Sequence, residues 1–266
     1  MALTRYVRAS AALLALALPF VLVAGPALYA IVLWDRAAGA DGLTHRRRVA
    51  KWQAVCGEIA LFLVKGIMGI RVAYDLPEAP LPEGPYVVVS NHFGGFDGFL
   101  VVRVLGKLLG RADIRAVGKQ EVRKWPVVGR AWTDLRWGFV ARNHDPKDHR
   151  AVERCGESAL ADGACALIFP EGTIFDPDKR KDGYVRVLAP KSGGLKTLCR
   201  AMPGSRALCV TIAWAHGRYG ESFLEGIIPF GASVRVIVRV ADVPEDVDAW
   251  LRDEWRRKDA LIDAGN

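Results

Sequence analysis

The chain has 266 residues, 51% of them hydrophobic and 25% charged, a composition that is globular in kind and long enough for one sizeable core with an appendage. Its net charge of +8 and pI near 9.4 favour an anionic partner: a phosphorylated small molecule, an anionic membrane surface or nucleic acid. The five cysteines are scattered with no Cys-x-x-Cys pair, which argues against a disulfide framework or a zinc site and reads as small core residues in a reducing compartment.

Ala11–Trp34, AALLALALPFVLVAGPALYAIVLW, carries no charged residue. As a helix it spans about 36 Å, enough for a hydrocarbon core of about 30 Å. The run continues past a passable cleavage site at Leu22–Ala24, so a retained anchor is expected rather than a cleaved signal peptide. Arg36, Arg46, Arg47, Arg48 and Lys51 follow it and outnumber Arg5 and Arg8 before it. If the segment crosses, that bias places the remainder on the cytoplasmic side; Pro19 and Pro26 can instead kink it or turn it back. His45, in THRRR, falls in a basic patch suited to anionic lipid. Val49–Tyr74 is mostly apolar but interrupted by Lys51, Glu58, Lys65 and Arg71. It reads as an amphipathic helix in the headgroup zone or against the anchor, or as a surface helix of the soluble domain.

The expected organisation is therefore a membrane-associated helical unit over 1–74, a proline-rich linker over 75–85 (DLPEAPLPEGP), and a main domain over 86–266. In that domain β-branched runs predict strands at Tyr86–Ser90, Ile114–Val117, Gly138–Ala141, Cys165–Phe169, Ala207–Ala213 and Ser233–Val240. Helical patterns fill Gly98–Leu109, His149–Asp162 and Lys191–Ala201, and the segment from Pro244 onward reads as a charged helix with one solvated face. Such alternation implies an α/β fold, layered around a mostly parallel or mixed central sheet.

Chemistry collects where predicted strands end. SNHFGGFDGF places His92 directly after a strand and Asp97 at the start of a helix. A histidine with a nearby carboxylate is the minimal unit of general-base catalysis, although a capped helix start, with Asp97 or Asn91 as N-cap, has the same letters. No Gly-x-Ser-x-Gly elbow supplies a serine for such a base, so the simplest client is a hydroxyl of the substrate itself. LIFPEGTIFD sets Glu171, Gly172 and Thr173 at the end of a second buried strand. Between the two lie Lys119, Arg123, Lys124, Arg130, Arg136 and Arg142, cations at a sheet rim that suit a phosphate.

NHFGGFD (Asn91–Asp97), GFVAR (Gly138–Arg142), FPEGT (Phe169–Thr173) and the hydrophobic ALCVTIAW (Ala207–Trp214) resemble, in order and spacing, the motif blocks of the glycerolipid acyltransferase family. The resemblance covers about Tyr86–Trp214. It implies that His92 is the base and Asp97 its orienting partner. It also implies that Asn91, Lys119, Arg142, Glu171, Gly172 and Thr173 line the substrate site, Arg142 holding phosphate and Glu171 ordering its loop. The implied reaction moves an acyl group from an acyl-coenzyme A or acyl-carrier-protein thioester to a lysophospholipid, with 1-acylglycerol-3-phosphate going to phosphatidic acid, without metal or cofactor. Gly94 and Gly95 offer backbone amides to the tetrahedral oxyanion. Ile174 follows the threonine where many members carry arginine, and the basic insert ending in LAPKSGG resembles the branch that includes eukaryotic-type lysophosphatidate and lysophosphatidylinositol enzymes. Another acceptor headgroup, a coenzyme-independent transacylase and a non-catalytic lipid-binding protein are the alternatives.

Other candidates weigh less. His144 and His149 with Asp145 and Asp148 could suggest a metal, but their spacing across Pro146 reads better as a solvated loop and helix start. His216 sits near the last block as a loop or core residue. Trp125, Trp132, Trp137 and Trp214 are core residues or interfacial anchors. No nucleic-acid motif appears, and a membrane anchor accounts for the positive charge without one.

Overall fold

The computed structural model describes residues 14–15, 17–78, 80–110, 113–142, 145–215 and 231–264. A helix covers Ala17–Ala37 and is long and apolar enough, by length and composition, to cross a membrane. Ala11–Leu13 and Leu16 of the predicted span lie outside the described residues. Within it a π-helical turn at Phe20–Ala24 leads into α1 (Gly25–Ala37), and the Gly25 N–H donates to the Phe20 carbonyl. This wider turn lies between Pro19 and Pro26, so the helix runs through both prolines instead of turning back.

The Asp41 carboxylate accepts from the Leu43 and Thr44 amides and so starts α2 (Gly42–Met68). Leu28, Val49 and Ala50 join α1 to α2, and Val127, Ala131 and Leu135 bring in α4 (Val128–Asp134), a helix the sequence patterns did not predict. Helix α2 ends at Gly69, whose φ of 66° is left-handed. Arg71–Asp75 is therefore strand β1, which corrects the expectation of one amphipathic helix through Tyr74.

His45 also differs from its expected place in a lipid-facing patch. Its ring donates from Nδ1 to Asp35 at 2.7 Å, and Nε2 lies 3.5 Å from Asp134, so it ties α1 and α2 to α4. Arg48 pairs with Asp35 as well, and Arg46 with Asp162 at 2.6 Å. Three of the four residues of the basic run His45–Arg48 thus meet carboxylates of the protein.

The remaining elements alternate as expected: β2 (Tyr86–Ser90), α3 (Asp97–Leu109), β3 (Ile114–Lys119), β4 (Gly138–Val140), α5 (Pro146–Asp162), β5 (Cys165–Ile168), α6 (Gly193–Ala201), β6 (Arg206–Ala215), β7 (Ser233–Asp242) and α7 (Val247–Asp263). One seven-stranded sheet results, in the order β1-β7-β6-β2-β5-β3-β4. From β6 to β4 every neighbouring pair is parallel, while β7 runs antiparallel to β6 and β1 parallel to β7. The carboxyl ends of β2 to β6 consequently share one rim.

Both faces of the sheet are covered, which is why β2 reads as an unbroken apolar run. Tyr86 and Val88 pack with Leu61, Val64 and Met68 of α2 and with Leu100 to Leu105 of α3. Val87 and Val89 face Val152 and Ala159 of α5, Leu195 and Leu198 of α6, and Leu251 and Trp255 of α7. Asp162, bonded to Arg46 of α2 and to the fully buried Arg115 of β3, joins the N-terminal helices to the sheet. Cys155, Cys165 and Cys209 are buried and unoxidised. Burial pushes the Cys155 and Cys209 thiols up to about 12, which makes both inert.

Candidate active site

Strand β2 delivers the chain to the rim, and Asn91 fixes its exit. The Asn91 amide donates to the Ile212 carbonyl at 2.9 Å and accepts from the Ile212 N–H at 2.8 Å. Asn91 is only 1% exposed. With both ends of its amide committed to β6, it is a clamp between strands.

His92 comes next, its side chain 23% exposed. Nδ1 lies 3.0 Å from Asp97 Oδ2. The same oxygen accepts from the Phe93 N–H and, at 2.7 Å, from the Gly94 N–H. A carboxylate oxygen already ringed by donors requires a hydrogen on Nδ1, so Nε2 is the ring nitrogen with a free lone pair. Asp97 is the first residue of α3 and fully buried, where the helix N-terminus favours a negative charge. Two sequence expectations change here. Asp97 caps the preceding loop as well as orienting the histidine, so the capped-helix reading and the catalytic reading coexist. The Gly94 amide points at Asp97 and is not available to an oxyanion.

The loop after β5 holds His92 from the other side. Glu171 Oε1 accepts from the His92 N–H at 3.2 Å, and the Phe175 N–H donates to the His92 carbonyl at 2.7 Å. The Phe169 ring stacks on the imidazole with centroids 4.3 Å apart and planes 25° from parallel. Phe93 in turn stacks between Phe175 and the buried Trp214, giving the histidine an aromatic flank. Glu171 Oε2 accepts from the Leu188 N–H at 3.3 Å. Glu171 is 3% exposed, and burial pushes its carboxyl up to about 8 against the opposing pull of those two N–H donors; Asp97 adds to the rise and Lys258 opposes it. Gly172 turns the loop with a φ of 74°, and Thr173 is half-buried beside it.

The structure thus brings His92, Asp97, Glu171, Gly172 and Thr173 together. Lys119 and Arg142 share the rim but stand apart. Lys119 ends β3 and Arg142 follows β4, two and three strands from β2, or about 10 and 14 Å at ordinary strand spacing. Both are exposed. Arg142 has a φ of 63°, held by Asp148, whose carboxylate accepts from the Ala141 and Arg142 amides. His149 leans its Nδ1 towards Thr197 Oγ1 at 3.4 Å. Among the described residues no group of His, Cys, Asp and Glu could hold a metal. His144 and His216 lie outside the described residues.

Three contributors escaped the sequence reading. Phe169 stacks on the His92 ring. Asp259 of α7 accepts from the amides of Val185, Arg186 and Val187, fixing the segment whose next amide, Leu188, reaches Glu171. Lys258 of α7 is fully buried and donates to the Val210 carbonyl and Thr211 Oγ1, in the stretch of β6 that pairs with Ser90. The expected solvated face of α7 is real, but Val247, Leu251, Trp255 and Ile262 form a buried stripe along the other side. Their spacing of four, four and seven was the available signal.

Comparison with known proteins follows from this geometry. A model of the family described as Acyltransferase matches residues 71–214, more than half of the chain. No curated protein matches it. Among solved structures, the crystal structure of the 1-acyl-sn-glycerophosphate (LPA) acyltransferase PlsC from Thermotoga maritima has a TM-score of 0.65 at 19% identity, covering 98% of this chain and 97% of that one. At that identity the likeness is one of fold.

Proposed function

Because the chain belongs to the acyltransferase family, we propose that it transfers a fatty acyl group from an acyl thioester to the free hydroxyl of a lysophospholipid, with 1-acylglycerol-3-phosphate giving phosphatidic acid. His92 Nε2 takes the hydroxyl proton as the oxygen attacks the thioester carbonyl. The tetrahedral adduct then collapses, the C–S bond breaks, and the imidazolium returns the proton to the departing thiolate. Asp97 stabilises the imidazolium, and Phe169 and Glu171 hold the ring and its main chain in place. A base so positioned contributes about 10²–10⁴-fold to an alcohol that is a poor nucleophile near neutrality. The thioester is already activated, so the scheme needs no covalent enzyme intermediate, cofactor or metal.

The observation that carries this reading is the His92–Asp97 contact, with Nε2 left free on a rim that also bears Lys119 and Arg142. The outer faces of the first two helices support work at a bilayer. Val21, Leu22, Val23, Leu33 and Trp34 of the first, and Val55, Ile59 and Phe62 of α2, are at least half exposed. The charge bias around the apolar span supports a membrane location with the catalytic domain on the cytoplasmic side.

The test is purified protein in mixed micelles, assayed against a panel of lysolipids with coenzyme A and carrier-protein thioesters in parallel. His92→Ala should lose turnover while keeping its melting temperature. Unchanged turnover in that variant, or acylation that needs a second phospholipid in place of a thioester, would sink the scheme.

A further inference from the structure

The segment from Asp176 to Ala201 holds cations that the site described so far does not use. Most are satisfied within the protein. Lys179, Arg186 and Lys196 face Asp176, Asp263 and Asp248, and Arg180 and Arg200 donate to the carbonyls of Pro177 and Lys196. Lys181 and Lys191 are different: no carboxylate or other acceptor meets either ammonium among the described residues, and the one beside the Glu171 loop is Lys191.

Its position is fixed all the same. The Lys191 N–H donates to the Pro170 carbonyl at 2.9 Å, which lays the residue along the loop that carries Glu171. Its Nζ ends 3.8 Å from the point where a β-carbon on Gly172 would stand, and apart from the adjoining chain no other heavy atom lies within 4 Å of that point. Gly172 has neither a side chain nor a φ that another residue adopts readily, so the hollow in front of the ammonium stays open. That hollow is one residue from Glu171, whose carboxylate holds the His92 N–H. In strand order β5 adjoins β2, whereas Lys119 and Arg142 lie two and three strands off. Ile174, 40% exposed, brings no charge of its own to the loop.

Resting on the acyltransferase reading above, we propose that Lys191 is a substrate-binding residue whose ammonium contacts a phosphate group beside His92. An ammonium is a compact charge with three rotatable donors, suited to a phosphate that arrives on a flexible molecule. Two sources present that chemistry: the headgroup of the lysolipid and the coenzyme portion of the thioester.

Calorimetric binding in mixed micelles separates them. Wild type, Lys191→Met and Lys191→Arg are each titrated with lysophosphatidate and with phosphate-free monoacylglycerol, then with acyl-coenzyme A and with phosphate-free acyl-pantetheine. Lys191→Met should weaken one phosphorylated ligand by about ten- to a hundredfold, the size expected for a charged hydrogen bond. Its phosphate-free counterpart should bind as before, and Lys191→Arg should recover most of the loss. Whichever phosphorylated ligand weakens identifies the source. Equal affinities of wild type and Lys191→Met for both phosphorylated ligands would overturn the assignment. Turnover in the same micelles judges the parent reading separately: a wild type that acylates no lysolipid refutes the acyltransferase scheme, whatever the titrations show.

Discussion

Replacing Asp97 by asparagine separates the charge of the carboxylate from its geometry. Oδ2 accepts all three hydrogen bonds, from His92 Nδ1 and from the Phe93 and Gly94 amides, whereas Oδ1 is buried with no partner among the described residues. An asparagine can therefore place its carbonyl where Oδ2 stands and keep every bond. The two backbone donors repel an NH₂ group at that position, so the side chain cannot flip and the Nδ1–H tautomer survives. What disappears is the negative charge opposite the imidazolium. At about 4 Å and an effective dielectric constant near 20, that charge is worth about 4 kcal/mol. At 1.36 kcal/mol per decade this corresponds to about 10³ in rate. The partial exposure of His92 screens part of it, which brings the expected loss in kcat to about 10²–10³. The assay is steady-state acyl transfer at saturating acceptor, with melting temperature measured alongside. Undiminished kcat in a folded Asp97→Asn protein would refute the imidazolium argument. A modest fall in melting temperature is expected, because the NH₂ that replaces Oδ1 is buried without an acceptor, at a cost of about 1–3 kcal/mol.

Glu171→Gln swaps one of two acceptor oxygens for a donor and leaves either the His92 or the Leu188 amide unpaired, at a cost of about 1–3 kcal/mol; differential scanning calorimetry should show a melting temperature lower by roughly 2–4 °C per kcal/mol. The raised Glu171 carboxyl also sets a pH dependence: a pKa lifted from 4.5 to about 8 favours the protonated fold, so its contribution is complete below pH 4.5 and disappears as pH rises through about 8. Wild type should lose melting temperature between pH 6 and about 9 more steeply than Glu171→Gln, and parallel curves would contradict the assignment. Asp162→Ala takes away the carboxylate that Arg46 shares with the buried Arg115, which keeps Asp113, and should destabilise by about 1–3 kcal/mol in urea titrations. Burial alone would raise the Asp162 carboxyl, but hydrogen bonds from Arg46 and then Arg115 outweigh it and hold the group at about 2. Wild type should therefore keep that contribution above pH 3.8 and lose it as pH falls through 2, a limb missing in the alanine variant. Phe169→Leu removes the stack on His92, worth about 0.5–1.5 kcal/mol, and should lower kcat by about two- to twelvefold with the acceptor KM unchanged; a rise in KM instead would make Phe169 a substrate contact.

The parts of this protein that the sequence made legible are those written in short stretches. The six predicted strands, the helices after β2 and β4, and the pairing of His92 with Asp97 depend on residues within a few positions of one another. What stayed hidden depends on sheet order. β5 follows β3 and β4 in the chain yet inserts between β2 and β3, so Glu171 meets His92 while Lys119 and Arg142, earlier in sequence, end up farther off. No local pattern shows that Asn91 will find Ile212, 121 positions later, or that Asp259 will gather the amides of a loop more than seventy residues before it. β1 was missed for another reason. RVAYD has a mixed burial pattern on the outermost strand of the sheet, and apolar spacing alone joins it to the preceding helix. The inward turn of His45 and Arg46 was equally unreadable, because basic residues beside an apolar span carry no mark of the carboxylates they will meet.

The anchoring of the site loops by α7 bears on how the protein comes into being. His92 stands early in the sequence, directly behind β2. Yet the groups that hold it arrive with Glu171, Ile212 and Asp259. A chain folded only as far as α3 therefore has its imidazole paired with Asp97 but its main chain unheld. Until the helix bearing Asp259 docks, the segment that brings the Leu188 amide to Glu171 is not fixed, so the aim of the site is settled by an element far from it in sequence.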